Sequence, residues 1–169
     1  MVSHKLHEEW CVKLGIPREI CREVNVLIDI KCRKHDVGRR EKFVYAGAGG
    51  IRIPIVGKGR RYVGKTIKGV PIRMMYVDVE DLIKCLKRFY GDTIPDSVVK
   101  SAILHHFLDE IKNILENQKV SLNAKEIIDE VARRLELLKR FNQRAFHEVY
   151  IFLQNNVQRV VESVLKEIE

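Results

Sequence analysis

Residues 35–39 read His35-Asp36-Val37-Gly38-Arg39. A histidine beside an aspartate puts a neutral nitrogen donor and an anionic oxygen donor at one point of the backbone, the mixture that divalent metal ions take. The dipeptide alone is weak, because such pairs arise often by chance. Its company gives it weight. His4 and His7 lie about one helical turn apart upstream, and His105, His106 and Asp109 cluster downstream. Five of the six histidines thus fall into three short groups, which is why the chain is read around them.

Hydrophobic periodicity sets the elements that carry these groups. Over 3–14, Ser3 is a good N-cap and Leu6, Trp10 and Leu14 recur every four residues, so an amphipathic helix is expected, with His4, His7 and Cys11 on a neighbouring stripe. Gly15 suits its end and Pro17 the first turn of a second helix over 17–30, buried through Ile20, Val24, Leu27 and Ile28. From Phe43 to Val77 the pattern changes: glycines punctuate short runs of Ile, Val and Tyr, and Ile51 to Val56 alternates. The expectation there is a small antiparallel β element with strands near 51–56, 60–67 and 70–77. After Asp78 helices return. One carries Val79, Leu82, Ile83, Leu86 and Phe89 and ends at Gly91; the next, about 96–118, is opened by Pro95. Two further stretches follow: 123–140, capped by Ser121 or Asn123, and 142–168, as one long helix or a continuation. The expected fold is mainly α: a single domain over 1–169 with a helical core from 1–37 and 78–169 and a β-hairpin or sheet insertion over 38–77.

At 169 residues and 46% hydrophobic, the chain is long enough for one real core. It has no apolar run of ~18 residues and no signal-like apolar stretch at its start, so a soluble cytoplasmic protein without membrane contact is expected. Cys11, Cys21, Cys32 and Cys85 show no C-x-x-C spacing; Cys11 and Cys21 read as small apolar core residues in a reducing compartment, with a buried disulfide as the alternative. The net charge of +8 is unevenly placed: residues 31–73 hold thirteen Lys and Arg against Asp36 and Glu41, a net of +11, and the rest of the chain nets −3. A patch of that size is the footprint of a polyanion, nucleic acid or a phosphorylated substrate.

His7, then His35-Asp36-Val37-Gly38-Arg39, then Asp109 resembles the H…HD…D pattern of the HD-domain superfamily of metal-dependent phosphohydrolases. Leu14-Gly15-Ile16-Pro17 stands where that family turns between its first two helices, and His105-His106-x-x-Asp109 is similar to the later helix that completes such sites. The resemblance covers roughly the first 110 residues, with 38–77 as an insertion. It implies a helical HD-like domain whose second helix delivers the His-Asp run. It also implies a divalent metal ion (Mn, Fe, Ni, Zn or Mg) and hydrolysis of a phosphate ester of a nucleotide or nucleic acid.

On this reading His7, His35, Asp36, His105 and Asp109 hold the metal. On a helix Asp109 shares a face with His105 or His106. Asp36, His106 and Arg39 are the catalytic candidates. Arg39, Arg40, Arg52, Lys58, Arg60, Arg61 and Lys65 would hold phosphate or a nucleic-acid backbone. The alternative is a non-enzymatic nucleic-acid-binding protein using the basic β element, with Tyr45 and Tyr62 for stacking. Gly59-Arg60-Arg61-Tyr62-Val63-Gly64-Lys65-Thr66 matches the phosphate-loop pattern letter for letter, but Gly69 and Pro71 follow where a helix is needed, so the match reads as accidental. The broad apolar stripes of 123–168 either cover the core or, as a second reading, form a homodimer interface. His147 stands apart and reads as structural.

Overall fold

The computed structural model describes residues 2–32, 79–117 and 123–168, and between 33 and 78 gives only the backbone of four short segments. Helix α1 spans His4–Lys13, and the Ser3 hydroxyl caps it by accepting from the Leu6 N–H at 3.2 Å. Gly15, at φ 89°, takes the left-handed turn that a side chain would resist, and α2 begins after Pro17 at Arg18. It runs to Val26 and continues as one π-helical turn, Leu27–Lys31. Cys32, at φ −92° and ψ 62°, leaves the helix. The second helix therefore ends at Lys31 and does not carry His35, contrary to what the resemblance implies.

The remaining helices are α3 (Val79–Tyr90), α4 (Asp96–Asn117), α5 (Ala124–Arg134), α6 (Gln143–Asn155) and α7 (Val157–Ile168), with a 3₁₀ turn at Glu136–Arg140 after α5. The expected 123–140 helix thus breaks at Leu135, and the expected 142–168 helix breaks at Asn156. Asn123 caps α5 through a reciprocal pair with Glu126. Helix α4 is the axis of the fold. Val98, Val99, Ala102, Ile103, Leu104, Phe107, Leu108, Ile111 and Ile114 bury it on every side, and α1, α2, α5, α6 and α7 all pack on it. The stripes of α6 and α7, among them Phe146, Val149, Leu153, Val160 and Val164, are buried in this same core. One residue of the expected stripes, Phe89, is instead exposed. Among the described residues no helix is long and apolar enough to cross a membrane.

Two expectations need correction. Over 2–32, 79–117 and 123–168 the fold is 85% helical in seven α-helices, and no strand or sheet enters it. The class is a helical body, not a helical domain built with a β-hairpin insertion. Of the segment between, backbone pieces at Phe43–Ala46, Ile51–Pro54, Val63–Ile67 and Val70–Arg73 pair antiparallel, and their side chains lie outside the described residues. Alternation reports local β preference; it does not say that a glycine-rich run of net +11 contributes to a core. The second correction is to the cysteines. None of the four is free: Cys11 is bonded to Cys21 and Cys32 to Cys85. A half-cystine is as small and as buried as a free thiol, and pairing cannot be read from spacing alone.

Phe107 is fully buried on α4, with its ring 5.3 Å from that of Phe146 on α6. Phe107→Ala should cost about 3–5 kcal/mol, read as a lower urea midpoint at unchanged slope. A loss below about 1 kcal/mol would contradict α4 as the axis.

Candidate metal centre

Three helices present residues at four-residue steps, and the steps stack into layers. Cys11 follows His7 by one turn on α1, Asn25 follows Cys21 on α2, and His105 follows Ser101 on α4. In the lowest layer Cys11 is bonded to Cys21, with the buried Ser101 hydroxyl 3.4 Å from the Cys11 sulfur. One turn on, the rings of His7 and His105 stack at 4.2 Å and 16°, and Asn25 lies beside His105. Beyond them come Asp29, in the π turn, and Asp109. Extra-wide turns of this kind recur at functional sites because they re-aim a side chain within a helix.

The histidine tautomers follow from their partners. His105 Nδ1 is 3.2 Å from Asn25 Oδ1, so we assign the ring proton there, donating to the amide oxygen. Its Nε2 then faces the carboxylates of Asp29 and Asp109, each at 3.5 Å. His7 Nδ1 lies 3.0 Å from the Ser3 carbonyl oxygen, and Nε2 lies 3.2 Å from the His105 carbonyl oxygen and 3.5 Å from Asp109 Oδ1. A neutral imidazole has one N–H for these two carbonyls. With the proton on Nδ1, the shorter contact, a nitrogen lone pair points at oxygen lone pairs. Protonation does not relieve this, because burial first and the neighbouring His105 second push His7 down to about 4, against the opposite pull of Asp109 and the two carbonyls. A divalent cation would relieve it.

His7, His105 and Asp109 offer donor atoms within 4.8 Å of one another, a buried group that could hold a metal ion. The donor set fits one: two imidazoles, each with its far nitrogen against an oxygen acceptor, plus a carboxylate. Asp109 also accepts from the Val2 N–H at 2.6 Å, and Asp29 meets the half-exposed His4 at 2.5 Å.

Of the expected site residues, the structure brings together His7, His105 and Asp109. His106 is buried, with its ring edge-on to His105 at 5.5 Å, outside that group. His35, Asp36, Arg39, Arg40, Lys58, Arg60 and Arg61 lie outside the described residues, and of Arg52 and Lys65 only the backbone is described. Sequence reasoning missed Asn25 and Asp29. The signal was partial: Asn25 falls one helical turn after Cys21 on α2, and Asp29 four residues further on lies in the π turn.

No protein-family model, no curated protein and no solved structure matches the chain, so the resemblance to HD-domain proteins stands on its residues alone.

A pH effect follows for the metal-free chain. His7 is depressed from 6.5 to about 4, so its contribution to stability is complete above pH 6.5, declines as pH falls towards 4 and is flat below. The full swing is roughly 3 kcal/mol. Urea unfolding of chelator-treated protein at pH 7.5, 5.5 and 4 should show it, and His7→Gln should flatten that part of the slope. An unchanged slope in the variant would refute the assignment.

Proposed function

We propose that this chain is a metal-dependent phosphohydrolase of HD type, acting on a phosphate ester of a nucleotide or nucleic acid. The observation that carries the reading is the convergence of His7, His105 and Asp109, with both Nε2 atoms turned towards carboxylate oxygen. Two imidazoles with one carboxylate suit Mn, Fe, Ni or Zn better than Mg. A divalent ion held there would lower the pKa of a bound water to about 7 and so supply hydroxide at neutral pH. The chain's own part is to keep His7 neutral, to fix both imidazoles through Ser3 and Asn25, and to exclude bulk water by burial. In this proposal Arg39, Arg40 and the other cations of 31–73 hold the phosphate, and His35 and Asp36 complete the ligand set.

The charge distribution favours a second reading, a non-enzymatic nucleic-acid binder working through the net +11 of 31–73. The cytoplasmic placement belongs to the proposal as well. Disulfides belong to an oxidising compartment or to a chain whose sulfurs are shielded from the reducing pool. All four cysteines are buried or partly buried, as the second case requires.

Elemental mass spectrometry of the purified chain should find close to one transition-metal ion, lost in Asp109→Ala together with metal-stimulated hydrolysis of a nitrophenyl phosphodiester. Metal absent even after supplementation would sink the enzyme reading. Salt-dependent nucleic-acid binding that survives Asp109→Ala would then favour the second. Asn25→Leu removes the acceptor that orients His105 and should weaken metal binding about 10–100-fold by chelator competition; an unchanged affinity would show that the amide orients nothing.

A further inference from the structure

The α1–α2 pair is a helical hairpin closed at one end by the turn through Gly15 and open at the other, where the candidate ligands sit. From that turn to His7 is some seven residues of helix, about 10 Å of lever at 1.5 Å per residue. Ligand atoms at a metal must be held to a few tenths of an ångström. A small splay of the hairpin would carry His7 out of reach of His105 and Asp109, which ride on α4.

We infer that the Cys11–Cys21 disulfide is a positioning crosslink for this metal centre, holding His7 on α1 in register with Asn25 on α2. The inference rests on the metal reading above. The bond lies one turn from His7 on one helix and one turn from Asn25 on the other, which shortens the free lever to about 6 Å. It also touches the third helix of the site: Ser101, against the Cys11 sulfur, is one turn before His105 on α4. Both sulfurs are buried, so the link is built in and not offered to solvent. The other disulfide, Cys32–Cys85, ties the end of the π turn to α3, which carries no ligand of the group. The two bonds therefore have separable roles.

The separation can be measured. Cys11–Cys21 closes a sequence separation of 10 residues and Cys32–Cys85 one of 53, so on loop-closure grounds the second supports the fold more. Zinc affinity, by competition with a chromophoric chelator, and Tm would be measured for the parent, for Cys11→Ala with Cys21→Ala, and for Cys32→Ala with Cys85→Ala. Expected is a 10–100-fold loss of zinc affinity in the first pair with the smaller fall in Tm, and near-parent affinity with the larger fall in the second. Cys11→Val with Cys21→Ala fills the space of the sulfurs without the bond, which keeps the test available if the double alanine chain fails to fold. Parent affinity without the Cys11–Cys21 bond, or equal losses in both pairs, overturns the inference while leaving the centre in place. A parent chain that binds no zinc overturns the centre, and the inference with it.

Discussion

Helix α4 is buried on all sides, and one of its faces is polar. Burying an imidazole or a carboxylate without partners costs several kcal/mol, so each polar atom there needs an answer. Asn25 on α2 answers His105 Nδ1, and the Val2 N–H, just ahead of α1, answers Asp109. Glu110, another polar residue buried at this point, is met by Arg134 on α5 at 2.8 Å and by Asn113. Neighbouring residues 109 and 110 thus face different helices, and their partners tie α4 to α1 and the residue ahead of it through one and to α5 through the other. The packing of the body is fixed by polar groups as well as by the apolar stripe.

That dependence explains what the sequence did and did not disclose. Apolar periodicity and end signals are local properties, so Ser3, Gly15, Pro17 and the α4 stripe could be read directly, and His7, His105 and Asp109 stood out because their types are rare and grouped. Asn25 and Asp29 carry no such mark. An asparagine on a helix is ordinarily a solvated residue, and its burial becomes visible only once α2 is laid against α4. The breaks at Leu135 and Asn156 were missed for a related reason. Apolar spacing continues through both, so periodicity alone does not mark the breaks.

The cysteines and the basic segment failed for different causes. Pairing of sulfurs is a property of the fold, since bonding requires Cα atoms about 5.5–6 Å apart and no spacing rule supplies that. The alternation over 51–56 was a sound local signal applied at the wrong level. It speaks of strand preference and is silent on membership of a core.

Charge and crosslinks divide the chain in a consistent way. The residues outside 31–73 net −3, and the candidate ligands whose positions are described all come from them. The Cys32–Cys85 bond ties the end of the π turn to α3 across the stretch of sequence that holds the basic segment. A net charge spread along a segment acts through a screened, salt-dependent term. Substitutions among His7, Asn25 and His105 change a buried arrangement that salt does not reach.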